Sequence, residues 1–231
     1  MDLGKYAVIV AGGKGLRMNS ELPKQFMELE GIPVLMRTVN AFFFAERSVQ
    51  IILVLPEAHH DYWDKLVRKH NFTIPHQVVS GGSTRFQSVR NGLQAIQVNE
   101  GVVAIHDGVR PLVSADVINM TYDVASREGS AVTVVPSKDS IRRKTDGGSE
   151  SVARSDYLLV QTPQTFRISL IKNAYDREEQ VSFTDDASVF EGAGEMVSLV
   201  NGDYKNLKLT TPEDMIIAAC LLGANSKSPD T

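Results

Sequence analysis

Short apolar runs alternate with helix-period segments from Tyr6 to Pro136, and that alternation restricts the fold more than any other feature of the chain. Tyr6–Val10, Ile51–Leu55, Gln77–Val79, Val102–His106 and Ala131–Pro136 read as short, mostly buried strands. Pro33–Phe44, Glu57–His70, Thr84–Gln97 and Asp116–Glu128 read as helices between them. Ser83 or Thr84 can cap one of these, and Ser114 or Ala115 precedes another. Strand–helix alternation predicts an α/β fold with a mostly parallel sheet covered by helices on both faces. Ligands in such sheets bind beyond the carboxyl ends of the strands. The polar segments after Val10 and after Ile105 both fall at such ends.

The first of these segments is Ala11-Gly12-Gly13-Lys14-Gly15-Leu16-Arg17, with Pro23-Lys24-Gln25 close behind. Gly12, Gly13 and Gly15 carry no side chains, so backbone N–H groups can close around phosphate oxygens. Arg17 and Lys24 add positive charge where negative charge builds up in phosphoryl chemistry. The loop is not a Walker A loop, which needs Gly-Lys followed by Ser or Thr, because Lys14 is followed by Gly15. Nor is it a dinucleotide fingerprint, since Met18 stands where the third glycine belongs. A plain glycine turn flanked by two solvated cations is the alternative.

After Pro136 the alternation stops. The polar stretch Ser137–Asp156 holds Asp146-Gly147-Gly148 between Ser140–Lys144 and Ser151–Arg154, as in a hairpin. With few large apolar residues, such a hairpin cannot form its own core. Beyond it we expect a strand near Leu158–Gln161, helices at Ile168–Glu179 and Thr184–Glu191, a strand at Met196–Val200 and a last helix over Pro212–Leu222. The expectation is one domain over residues 1–223, with the hairpin arm at about 137–156 and a small, polar, disordered tail at 224–231.

Composition narrows the partners. The net charge of -4 and the lack of a Lys/Arg block argue against nucleic acid or an anionic membrane. Cys220 is the only cysteine, which excludes a disulfide framework and a cysteine-rich metal site. No apolar run approaches membrane-spanning length and the N-terminus lacks a signal-peptide layout, so a cytoplasmic protein is expected.

Other polar segments are candidates for chemistry. In His106-Asp107-Gly108-Val109-Arg110-Pro111, Asp107 can ligate Mg²⁺ or accept hydrogen bonds from ligand hydroxyls. Gly108 permits close approach of a nucleotide, and Arg110 either holds a phosphate or locks Asp107 in an ion pair. His106 reads as structural rather than as a base. Gly81-Gly82-Ser83-Thr84-Arg85 with Ser88 forms a glycine loop at a helix start that can read a base edge, or simply cap the helix. Gln161-Thr162-Pro163-Gln164, Arg154, Thr184 and Lys208 complete the set. Thr184 suits an N-cap, where a phosphate can also sit, and Lys208 is either a solvated lysine or a phosphate ligand.

The Ala11–Arg17 segment with Pro23-Lys24 resembles the signature of nucleotidyltransferases that make sugar or polyol nucleotides. The full order of motifs, from about Tyr6 to Leu222, resembles the 2-C-methyl-D-erythritol 4-phosphate cytidylyltransferase family. That resemblance implies a Rossmann-like nucleotidyltransferase domain, CTP as donor, a polyol phosphate as acceptor and Mg²⁺ or another divalent cation. It assigns the nucleotide to Ala11, Gly12, Gly13, Gly15, Gly82, Ser83, Ser88, Asp107 and Gly108, with Asp107 as the candidate metal ligand. Arg17 and Lys24 would stabilise the α-phosphorus under attack. Arg110, Ser140, Arg154, Thr162, Thr184 and Lys208 would serve the acceptor. It further implies a homodimer whose hairpin arm reaches the partner's active site. Ser83, Gly108 and Ser140 stand where the family often has Asp, Ala and Thr. A ribitol-5-phosphate cytidylyltransferase shares the Gln161–Gln164 segment and the His106–Pro111 form, but Asp139–Arg142 and Thr184–Ser188 fit it less well. A nucleotide-binding protein without turnover is a more distant alternative, and Arg17, Lys24 and Lys208 argue against it.

Overall fold

The computed structural model describes residues 3–12 and 22–225, the side chains of 224 and 225 excepted. In chain order the elements are β1 (Lys5–Val10), β2 (Glu28–Leu29), β3 (Ile32–Pro33), α1 (Val34–Ala45), β4 (Gln50–Leu55), α2 (His60–Lys69), β5 (Gln77–Ser80), α3 (Arg85–Gln94) and β6 (Val102–Asp107). There follow α4 (Ala115–Glu128), β7 (Ser130–Pro136), β8 (Ile141–Thr145), β9 (Gly148–Val152), β10 (Leu158–Arg167), α5 (Ile168–Tyr175), α6 (Asp186–Gly192), β11 (Leu199–Asn201) and α7 (Pro212–Asn225).

Seven strands make the main sheet, in the order β11-β7-β10-β6-β1-β4-β5. β1 lies parallel to both β4 and β6, β4 to β5, and β11 to β7. β10 runs antiparallel to β6 and β7. From β1 the chain builds outward through β4 to β5, then returns to set β6 on the other flank of β1. The order of strands reverses there, and this is where such sheets open a crevice beyond their carboxyl ends.

Strand periodicity explains the two-sided core. Ala7 and Ile9 of β1 face Leu35 and Val39 of α1 and Ile118 of α4, whereas Tyr6 and Val8 face Phe86 and Val89 of α3 and Ile171 of α5. α3 approaches closely because Gly92 has no side chain. A Cβ there would meet Val8 at 2.6 Å and Val54 at 2.8 Å. The expected doubly covered, mostly parallel sheet is therefore what forms.

Several expected boundaries move. β10 continues past Gln161 to Arg167, with a register shift between Val160 and Gln164. The polar residues from Gln161 to Thr165 are buried and paired: Gln161 donates to Asp203 O at 2.9 Å, and Thr165 donates to Thr121 Oγ1 at 2.9 Å. α5 ends at Tyr175, β11 starts only at Leu199, and a 3-10 turn over Glu57–His59 precedes α2. α6 starts at Asp186, capped by Asp185 rather than Thr184: the Asp185 carboxylate accepts from Ser188 N at 2.9 Å. The hairpin legs are β8 and β9, turning at Asp146-Gly147. α7 extends past Leu222 to Asn225, and the rest of the expected tail lies outside the described residues. Among the described residues, no helix is long and apolar enough to cross a membrane.

Candidate active site

A cavity of about 330 Å³ lies at the switch point beside β1. Ala11, Gly12 and Lys24 line one wall, Gly82, Ser83 and Ser88 another, and Asp107 and Lys208 the floor and rim. Thus elements distant in sequence converge where the topology predicts. Arg17, Gly13 and Gly15 lie outside the described residues.

The first wall is built from the end of β1. Ala11 N donates to Val54 O at 3.0 Å, extending the β1–β4 ladder by one residue. Lys24 opens a 3-10 turn whose Phe26 is buried in the core, so the turn is anchored behind it. Gln25 Nε2 donates to Ala11 O at 3.0 Å and ties this turn to the start of the glycine loop.

The second wall is the start of α3. Thr84 caps the helix by accepting from Gln87 N at 3.1 Å. The Ser88 hydroxyl accepts from Gly82 N at 3.1 Å and donates to Thr84 O at 2.9 Å, so it shapes the loop from inside. Ser83 Oγ donates to Gln87 Oε1 at 2.8 Å. These bonds fix the backbone facing the cavity without using its floor.

Asp107 closes β6 and is nearly buried. Its Oδ2 pairs with Lys208 Nζ at 3.0 Å and Arg110 Nε at 3.3 Å, and Oδ1 lies 4.0 Å from Arg85 Nε. Burial alone would push its pKa up. Lys208, Arg85 and Arg110 overcome that and hold the carboxyl well below the usual carboxylate range. Lys208 is the most exposed of the three cations and itself lines the cavity.

A chain of hydrogen bonds steadies this carboxylate. Asp107 N donates to Thr162 Oγ1 at 3.1 Å, and Thr162 Oγ1 lies 3.0 Å from His106 Nδ1. His106 Nε2 lies 3.1 Å from Arg110 O, an acceptor that requires the proton on Nε2 and leaves Nδ1 to accept from Thr162. Burial pushes the His106 pKa down to about 4. The unfolded histidine gains its proton near pH 6.5, whereas the native one stays neutral until about 4, so stability is lost as pH falls through that window. The loss amounts to about 3 kcal/mol at most. Urea unfolding at pH 7 and pH 4.5 checks this: wild type should lose more stability than His106→Asn between the two, and equal losses would contradict it.

Other expected site residues turn out to serve the scaffold. A Cβ on Gly108 would lie 2.8 Å from Ala11 Cβ and 2.9 Å from Leu35 Cδ1, so its close approach is to the protein's own chain. Arg110 is buried and donates to Asn206 O at 2.8 Å as well as pairing with Asp107. Of the two roles open to it in sequence, the geometry realises the lock on Asp107. The Thr162 hydroxyl is committed to Asp107 N and His106. Ser140, Arg154 and Thr184 are exposed and do not line this cavity. Arg154 instead donates to Lys138 O at 2.6 Å, fastening the base of the hairpin.

Sequence reading missed Arg85 and Gln25 as lining residues. Gln25 sits next to Lys24 and was within reach of the motif. Arg85 ends the Gly81–Arg85 motif, but its main partner is Asp186, 101 positions away, which no local window reveals. Among the described residues, no group of three or more His, Cys, Asp or Glu forms a metal cluster. One carboxylate on the cavity floor together with ligand phosphates is nevertheless a donor set that suits Mg²⁺, which keeps waters and binds few protein groups.

The profile of the 2-C-methyl-D-erythritol 4-phosphate cytidylyltransferase family matches residues 6–224. The enzyme of that name from Bacteroides fragilis is 51% identical over 216 residues, covering 94% of this chain and 98% of its own. The one from Phocaeicola vulgatus is 48% identical over 220 residues, covering 95% of this chain and 100% of its own. The crystal structure of 4-diphosphocytidyl-2C-methyl-D-erythritol synthase from Anaerococcus prevotii superposes with a TM-score of 0.80 at 31% identity, covering 95% of this chain and 96% of that one. The chain belongs to the 2-C-methyl-D-erythritol 4-phosphate cytidylyltransferase family.

Proposed function

We propose that the protein transfers the cytidylyl group of CTP to 2-C-methyl-D-erythritol 4-phosphate, giving 4-diphosphocytidyl-2-C-methyl-D-erythritol and pyrophosphate in isoprenoid precursor synthesis. The observation that carries this reading is the convergence of Lys24, the Gly82–Ser88 loop, Asp107 and Lys208 on one cavity at the switch point, in a chain about half identical to enzymes of that name.

The reaction joins two anions, so charge placement is most of the task. An oxygen of the acceptor phosphate attacks the α-phosphorus of CTP. A new phosphorus–oxygen bond forms, and the bond from the α-phosphorus to the bridging oxygen breaks, releasing pyrophosphate. The attacking phosphate is already ionised, so no base is required. His106 fits that scheme, because both ring nitrogens are occupied. Lys24, with Arg17, offsets the charge that develops at the α-phosphorus. Lys208, steadied by Asp107, orients the acceptor phosphate. Mg²⁺, held by Asp107 and phosphate oxygens, would neutralise triphosphate charge. Gly12 and the 82–83 backbone leave room for the nucleotide.

Pyrophosphate release from CTP and Mg²⁺ with methylerythritol 4-phosphate or ribitol 5-phosphate tests the assignment. Release with methylerythritol phosphate alone is expected; release with ribitol phosphate instead would transfer the chain to the other acceptor. The lone, unpaired Cys220 suits the reducing cytoplasm in which such a reaction would run.

The hairpin arm is proposed to serve a second copy of the chain. Ser140 and Arg154 at its base do not line their own chain's cavity. Beside it, Tyr157, Leu158, Leu159 and Val160 are 42–50% exposed, an apolar strip that a partner would cover. Mixing Lys24→Ala with Arg154→Ala subunits should then restore activity, since one site in each mixed dimer regains both side chains. No recovery in verified mixed dimers would refute the shared site.

A further inference from the structure

We infer that Arg85 is a positioning residue for the acceptor half of the site, an inference that rests on the transfer reaction proposed above. Arg85 is the first residue of α3 and lines the cavity. Nη1 and Nη2 donate to Asp186 Oδ1 and Oδ2 at 2.8 and 2.6 Å, a two-pronged pair with a fully buried carboxylate. Tyr175 donates to the same carboxylate at 2.6 Å. The Nε edge of the same group lies 4.0 Å from Asp107 Oδ1. One planar side chain thus stands between the end of β6 and the start of α6.

The first of these elements positions the cation proposed for the acceptor phosphate. Asp107 holds Lys208, and Asp186 follows directly on the Thr184–Asp185 turn. Gln164 fixes that turn to β10 by donating to Asp185 Oδ2 at 3.0 Å and accepting from Ala187 N at 2.8 Å. Arg85 supplies the matching tie from that turn to the cavity floor, and so sets the placement of Asp107 and of the Lys208 it holds. The nucleotide wall does not depend on it. Thr84, Ser83 and Ser88 are held by Gln87, Gly82 and one another. Loss of the guanidinium should therefore loosen acceptor binding more than CTP binding.

Arg85→Met alone would leave Asp186 buried without its cation and is expected to be unstable. Arg85→Met/Asp186→Asn removes both charges at nearly constant volume and keeps an acceptor for Tyr175. In steady-state kinetics of pyrophosphate release, this double variant should show a KM for methylerythritol phosphate raised on the order of tenfold, well above any change in the KM for CTP. Arg85→Lys, which keeps a charge but not the fork, should show a smaller rise of the same selectivity. A folded double variant, or Arg85→Lys, with wild-type acceptor KM overturns the inference, as does an equal rise for both substrates. A wild type without acceptor-dependent release overturns the transfer reading and this inference with it. An active wild type with unaltered variants overturns this inference alone.

Discussion

Lys24→Ala should fold like the parent and lose cytidylyl transfer by on the order of 10²–10³-fold. The turn carrying Lys24 is anchored by its neighbours: Phe26 is buried, and Gln25 bonds to Ala11 O at 3.0 Å. Removing the ammonium should thus leave the wall in place while taking a cation from the cavity. In a site that brings two anions together, that cation acts mainly on the transition state. Circular dichroism and thermal melting should match wild type, with kcat, not the KM for CTP, showing the loss. A folded Lys24→Ala protein of near-wild-type activity would remove the basis for the assignment.

Asp107→Ala should fail in both stability and turnover. The carboxylate faces Lys208, Arg110 and Arg85, and its removal leaves three cations near one another with no anion at the centre. Breaking a buried ion pair on one side costs about 3–5 kcal/mol. Asp107→Asn separates the two effects, since it keeps the shape and discards the charge. Its side-chain amide keeps an oxygen that can accept from Lys208 and Arg110, so the scaffold should survive better than in the alanine variant. Activity should still fall by on the order of 10²-fold, because Lys208 loses its guide and a misplaced acceptor reacts slowly. Urea denaturation with parallel kinetics on both variants checks this, and Asp107→Asn with normal turnover would contradict the role given to the Asp107–Lys208 pair.

Much of the fold was legible because its strands are buried on both faces. Runs such as Ile51–Leu55 admit few other readings, and Thr84 and Ser114 cap α3 and α4 as expected. β10 was read short because Gln161, Thr162, Gln164 and Thr165 look like a loop. They lie in a strand only because Asp203, His106, Asp185 and Thr121 satisfy their side chains. Those partners come from other parts of the chain, and no local window reveals them. Asp185 displaced Thr184 as the cap for a local reason, by closing a reciprocal bond with Ser188 three residues on.

The candidate site divides along the same line. Lys24, Gly82, Ser83, Ser88, Asp107 and Lys208 carry visible chemistry next to apolar runs, and they do meet in space. Gly108, Arg110 and Thr162 stand in equally suggestive motifs but face inward to hold the floor. Motif chemistry does not distinguish a residue that touches ligand from one that supports it. Arg85 shows the converse, since its importance comes from a partner on a remote helix.

The most direct measurement is ³¹P NMR of wild-type protein turning over CTP with Mg²⁺ and methylerythritol 4-phosphate. Attack at the α-phosphorus predicts the paired resonances of a new diphosphate diester and free pyrophosphate, appearing in equal amounts and only when the acceptor is present. CDP with inorganic phosphate, or CMP with pyrophosphate at a rate indifferent to the acceptor, would contradict cytidylyl transfer at this site.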